Sequence, residues 1–175
     1  MPGYAPRGID IDSRGIVWVS LISGHLARFD RLVCPVLNGP SATGAHCENG
    51  WTLYPFPGPQ FQGVEDMGSA EGGYFTYVDR YNVFGLGEDV PFNTANISDA
   101  LVGLVGDEFV TLRVPYPMGF YAKALDARVD DPNAGWKGRG LWSGFSGRAV
   151  QHIEGGKGTT SKVVHFQLRP DPLAH

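Results

Sequence analysis

The chain has 175 residues, with 14 Lys and Arg against 18 Asp and Glu and a net charge of −4. That length suffices for one domain with a real core, the lack of any basic cluster argues against nucleic-acid binding, and no apolar run approaches the roughly 20 residues that span a bilayer. Glycine (25) and proline (13) are abundant, aromatics reach 12% and only 18% of residues are charged, the composition of short β strands joined by tight turns.

Residues 8–12, Gly-Ile-Asp-Ile-Asp, alternate and predict a first strand. Ser13-Arg14-Gly15 is a tight turn that Asp12 is placed to close as an Asx-turn residue. Residues 16–21 make the second strand with Trp18 as its buried anchor, Ser23-Gly24 turns again, and residues 25–30 make the third. A Gly/Pro/Ser/Asn-rich loop carrying Cys34 and Cys47 leads to a fourth strand at 51–56. The cysteine spacing suits a local disulfide and hence an oxidising compartment; two free thiols are the alternative. Further along, residues 73–78, 99–105 and 108–115 are strand-like, with Gly106-Asp107 as a two-residue hairpin turn of the glycine-first kind. No helix is expected.

The opening stretch returns near the end. Pro6-x-Gly8-Ile9 is answered by Pro117-x-Gly119-Phe120, Arg14-Gly15-Ile16-x-Trp18 by Arg139-Gly140-Leu141-Trp142, and Ser23-Gly24 by Ser146-Gly147. The strand at 51–59 is answered by 163–172, and both end in prolines. From Pro6 to Pro117 is 111 positions, two intervals of about 55, the size of large propeller blades. The expected fold is therefore all-β: propeller-type blades, about three four-stranded antiparallel units at 6–60, 61–116 and 117–172, within a single domain covering 1–175.

Nucleophilic hydrolase motifs are missing, since Arg148 stands where a nucleophile elbow in Gly144-Phe145-Ser146-Gly147 needs its last glycine. No histidine pair has metal-ligand spacing. The acidic pairs Glu65-Asp66, Glu88-Asp89 and Asp130-Asp131 sit in Gly- or Pro-rich loops, where they either serve a hard cation that wants several oxygen ligands or are simply solvated. Tyr77, Asp79 and Arg80 form the densest polar–aromatic group, the composition of a binding mouth or of an edge strand. Asn96-Ile97-Ser98 is a glycosylation sequon.

The run P-x-G-I-x-I-D-x-x-G-x-x-W from Pro6 to Trp18, followed by Ser23-Gly24-His25-Leu26-Ala27-Arg28-Phe29-Asp30, resembles the blade repeat of the streptogramin B lyase family and of related β-propeller lactonases. The resemblance covers the first unit well, the third moderately and the second weakly. Those families are usually six-bladed rings with Mg²⁺ or Ca²⁺ at one mouth of the central channel, so three blades would be half a ring. The resemblance implies a Ca²⁺- or Mg²⁺-dependent hydrolase opening a small lactone such as an N-acyl-homoserine lactone, a quorum-quenching activity. Glu65, Asp66, Asp130 and Asp131 are then the metal ligands, His25 the base, and Tyr77, Asp79 and Arg80 the substrate contacts. A C–O lyase acting on a macrocyclic depsipeptide ester is the alternative, and a non-catalytic array that binds a partner or glycan is another. A three-blade arc exposes two apolar faces, which predicts a homodimer that closes a ring. A disulfide without a signal peptide in the chain fits an internal piece of a longer exported protein, periplasmic or secreted.

Overall fold

The computed structural model describes residues 3–43, 47–64, 68–115, 119–128, 139–145 and 162–168. The alternating run forms β1 (Pro6–Ile11), and β2 (Val17–Leu21), β3 (His25–Phe29) and β4 (Trp51–Pro55) follow it in an antiparallel sheet whose spatial order is the chain order. The middle unit repeats this with β5 (Gly73–Asp79), β6 (Val90–Ala95), β7 (Ala100–Val105) and β8 (Glu108–Arg113). In the third unit β9 (Asp126–Arg128), β10 (Gly140–Phe145) and β11 (Lys162–Phe166) pair in that order. Two blades thus have four strands, and the third has three among the described residues instead of the expected four.

The local signals act as their chemistry predicts. Asp12 Oδ1 accepts from the backbone N–H of Arg14 at 3.0 Å and of Ile16 at 2.9 Å, closing the first turn. Gly106, with φ of 63°, opens a two-residue hairpin between Val105 and Glu108, a conformation that glycine adopts at little steric cost. Strand β6 escaped the sequence reading because every one of its residues is buried, so Val-Pro-Phe-Asn-Thr-Ala shows no alternation. The sequon asparagine is also buried: Asn96 Nδ2 donates to the Ala122 carbonyl at 3.2 Å and Oδ1 accepts from the Ala122 N–H at 3.1 Å. It ties the second blade to the third and presents no amide for a glycan.

The blades can be aligned by their own hydrogen bonds. Asp79 Oδ1 accepts from Tyr81 and Val83, two and four residues on, as Asp12 does from Arg14 and Ile16. The ladder is irregular between Pro6 and Ile9 in β1 and between Gly73 and Thr76 in β5, at matching distances from Asp12 and Asp79. Trp18 lies opposite Asp10, and Trp142 lies opposite Asp126. Asp10, Tyr77 and Asp126 are therefore equivalent positions on the first strands of the three blades.

Neighbouring blades pack face to face. Trp18, Leu26 and Phe56 of the first blade meet Val78, Ala100, Val102 and Leu104 of the second. Tyr77, Phe92 and Leu101 of the second meet Phe120, Leu141 and Phe166 of the third. At the inner edge β1 runs so close to β5 that a Cβ on Gly8 would lie 2.5 Å from both the Phe75 Cα and the Thr76 nitrogen. The outermost faces differ. Ile9 is 60% and Ile11 49% exposed, although their counterparts Thr76 and Val78 are buried against the first blade. Val163 is 71% exposed, although its counterpart Leu26 is fully buried. For the same reason Trp142 is only half-buried, stacked on His165 with ring centroids 4.2 Å apart, whereas Trp18 is enclosed.

Cys34 and Cys47 form a disulfide across the connection from β3 to β4. With a sequence separation of 13 residues, loop-closure entropy makes it worth about 3 kcal/mol. Reduction, or Cys34→Ser with Cys47→Ser, should lower the unfolding free energy by about that amount in urea titrations with and without a phosphine reductant. The bond suits an oxidising compartment. Among the described residues no helix is long and apolar enough to cross a membrane.

Candidate functional site

Strands β1 and β5 and the segment leading into β9 gather the equivalent positions of the three blades in two levels. Three residues upstream of Asp10, Tyr77 and Asp126 stand Arg7, Tyr74 and Lys123. The Arg7 Cζ lies 5.3 Å and the Lys123 Nζ 4.9 Å from the Tyr74 ring centroid. Tyr121 joins them, its ring centroid 5.9 Å from that of Tyr74 and 5.7 Å from the Lys123 Nζ. Both cations are exposed and both rings half-buried, so solvent reaches the cluster.

The second level is Asp10, Tyr77 and Asp126. Burial first, and then the Asp79 carboxylate, push the Tyr77 phenol up to about 12, with Asp126 and Asp10 adding to the effect and Arg80 opposing it. Tyr77 therefore stays protonated at neutral pH and is available as a hydrogen-bond donor, not as a base. Arg80 Nη1 donates to Asp10 Oδ1 at 3.0 Å and to the Ile11 carbonyl at 2.6 Å, and its guanidinium is held above its ordinary value chiefly by the hydrogen bond to Asp10. Asp79 Oδ1 accepts from Tyr81 and Val83, and Oδ2 from Phe84. The structure brings Tyr77 into the inner ring, whereas of the other expected substrate contacts Asp79 has both oxygens on backbone N–H groups and Arg80 has Nη1 on Asp10 and the Ile11 carbonyl.

Carboxylate side chains lock the turns around the rings. The Glu71 carboxylate accepts from the N–H groups of Gly72, Ile97 and Ser98, clamping the first interblade connection to the β6–β7 turn. Asp99 Oδ1 accepts from the Phe120 N–H at 2.7 Å, fixing the approach to Tyr121 and Lys123.

His25, expected as the base, is buried at the start of β3. Its Nδ1 lies 3.1 Å from the Ser23 hydroxyl oxygen, which also accepts from the Tyr4 N–H. The Gly68 backbone packs against its ring: a Cβ there would lie 2.8 Å from the imidazole Cδ2. Burial pulls the imidazole below its ordinary value, with the Ser23 backbone partly offsetting this. An unfolded chain binds this proton below about pH 6.5, whereas the folded site resists it. Stability should therefore fall as pH drops from about 6.5 towards the lower folded-state value, and His25→Asn should flatten that slope in urea titrations between about pH 7.5 and 5.

At the opposite end of the first two blades a cleft of about 260 Å³ is lined by Arg14, Trp18, Arg28, Tyr54, Glu88 and Asp89. Its cations are already paired, Arg14 with Asp12 at 3.0 Å and Arg28 with Asp30 at 3.2 Å, and Asp89 accepts from the Ser13 N–H at 2.9 Å. Among the described residues no group of three or more His, Cys, Asp or Glu side chains could hold a metal ion. Both oxygens of Glu71 and Asp79 and the Oδ1 atoms of Asp12 and Asp99 accept from backbone N–H groups, and Asp12 Oδ2 accepts from the Arg14 and Trp18 side chains. The expected ligands Glu65, Asp66, Asp130 and Asp131 lie outside the described residues.

The sequence reading missed Arg7, Tyr74, Tyr121 and Lys123. They are spread over 117 positions of chain, and only the true register of the second unit shows that three of them are one repeated position.

No protein-family model matches the sequence, and no curated protein matches it. Among solved structures the fold is similar to a streptogramin B lyase, with a TM-score of 0.51, 14% identity, and 82% of this chain covered. Virginiamycin B lyase from Staphylococcus aureus, selenomethionine-substituted, matches with a TM-score of 0.48 and 13% identity over 96% of this chain. A catalytically inactive form of that enzyme with quinupristin gives 0.45 and 13% over 96%. The chain spans 35% of the streptogramin B lyase and 42% of the virginiamycin B lyase chains. The first of these likenesses identifies the three sheets as propeller-type blades.

Proposed function

We propose that this chain is a propeller segment whose inner strands bind a small cyclic ester and that it opens the ester as a C–O lyase. The observation that supports the reading is the two-level inner ring, in which an accessible cation–tyrosine layer adjoins Asp10, Tyr77 and Asp126 on blades of the lyase type. In this reading the whole of 1–175 is one propeller-like domain, and His25, neutral at physiological pH, is the base. Glu65, Asp66, Asp130 and Asp131 are the proposed ligands of Ca²⁺ or Mg²⁺, which would polarise the ester carbonyl. Incubation with a cyclic depsipeptide and with an N-acyl-homoserine lactone, followed by mass spectrometry, tests it. An isomeric, unsaturated acid supports the lyase, a hydroxy acid one water heavier makes the chain a lactone hydrolase, and no turnover with or without Ca²⁺ leaves a binding array. A periplasmic or secreted location goes with the disulfide.

The bare outer faces carry a second part of the proposal: two copies close one ring. An apolar groove of about 380 Å³ on the first blade, lined by Ile9, Val19, Leu21, Trp51 and Leu53 among others, takes the Val163 face of the other copy's third blade. Sedimentation at micromolar concentration should show a homodimer, and Ile9→Asp with Ile11→Lys should make it monomeric. A wild-type monomer overturns this part.

A further inference from the structure

We infer that Arg7, Tyr74, Tyr121 and Lys123 form a binding site for a small carboxylate borne on a planar apolar group. Three of the four occupy one equivalent position in three successive blades, so the fold brings them to a common level. Arg7 and Tyr74 both lie where the ladder is irregular, between Pro6 and Ile9 and between Gly73 and Thr76. Bulges of this kind re-aim side chains and recur beside functional sites. The cluster sets two positive charges on one tyrosine ring, from blades on either side of it. Cation–π contact at an exposed site is worth only about 0.5–1 kcal/mol, and like charges so placed repel. Arg14, Arg28 and Arg80 each have a carboxylate at 3.0–3.2 Å. Among the described residues no carboxylate lies within ion-pair distance of Arg7 or Lys123. In a chain of net charge −4, this unneutralised pair selects an anion. The two tilted rings, 5.9 Å apart, provide apolar faces for a flat substituent, and the guanidinium fork suits the two oxygens of a carboxylate.

This concerns the same cation–tyrosine layer that supports the ester-opening reading and names the ligand chemistry that layer selects; its test is separate, because binding is measured without turnover. The experiment is titration of the full chain with benzoate at low ionic strength, read by calorimetry and by chemical shifts of the Lys123 side chain. Benzoate should bind more tightly than acetate, and benzyl alcohol should not bind measurably. Lys123→Met and Arg7→Met should each raise the Kd at least tenfold, and Tyr74→Leu should remove the preference for benzoate over acetate. Lys162→Met, a cation on β11 outside the cluster, should change nothing. All these residues are exposed or half-buried, so circular dichroism and melting should confirm an intact fold. Benzoate affinity unchanged in the Arg7→Met/Lys123→Met double variant overturns the site. So does inorganic phosphate binding more tightly than benzoate with no response to Tyr74→Leu, since the ligand would then be a bare anion. A chain that binds benzoate in this way but turns over no ester sinks only the proposed reaction.

Discussion

Replacing Trp18 by alanine should lower folding stability by about 3–5 kcal/mol, the usual cost of emptying a large buried aromatic site. The indole is only 5% exposed, packs with Leu26, Phe56, Val78 and Val102 at the joint of the first two blades, and sits 6.1 Å from the Tyr54 ring. Its Nε1 donates to Asp12 Oδ2 at 3.3 Å, so the substitution also removes a donor from the carboxylate that closes the β1–β2 turn. Trp18→Phe, which keeps most of the apolar volume and loses the N–H, should cost about 1–2 kcal/mol on the same scale. The equivalent Trp142→Ala should cost less than Trp18→Ala in urea titrations, because Trp142 lies half-buried on an outer face. Equal losses would contradict the difference in packing between the two faces.

Asp79→Ala should be comparably severe. This carboxylate is 1% exposed and is the acceptor for the N–H groups of Tyr81, Val83 and Phe84. Leaving three such donors unpaired, at about 1–3 kcal/mol each, predicts a loss of at least about 3 kcal/mol. Asp79→Asn separates the cap from the charge. Its amide oxygen can still accept from two N–H groups, so more stability should survive. With the charge gone, the Tyr77 midpoint should fall from about 12, since Asp79 is the largest influence on it after burial. Phenolate absorbance during an alkaline titration reads this directly, and an unmoved midpoint would rule out the Asp79 charge and leave burial with Asp126 and Asp10.

Some features of the inner ring could be read from the chain and others could not. Asp12, next to Arg14-Gly15, was legible as a turn residue because an Asx turn is made by residues two to four apart. Tyr77 stood out because aromatic and charged residues crowd there in sequence. The same crowding picked out Asp79 and Arg80, but not that their partners are a local backbone and an aspartate on another blade, 70 positions away. The carboxylates of Glu71, which is buried, and Asp99, which is half-buried, carry no local signal of their role, since their work is to hold turns that only packing brings within reach.

By itself the amino-acid sequence determined the all-β class, the tight turns and the propeller type of the blades. These rest on short-range physics: alternation with a period of two, glycine where φ is positive, carboxylates beside the N–H groups they accept from. The tertiary structure decided the register between blades, and with it everything that depends on equivalence over long separations. It placed β6 inside a sheet buried on both faces, exposed Ile9 and Ile11 where Thr76 and Val78 are covered, and gathered Arg7, Tyr74 and Lys123 at one level. The reason is that a residue's neighbours across a blade joint are set by the close approach of backbones such as Gly8 to Phe75 and Thr76, a contact between chain segments that no local pattern encodes.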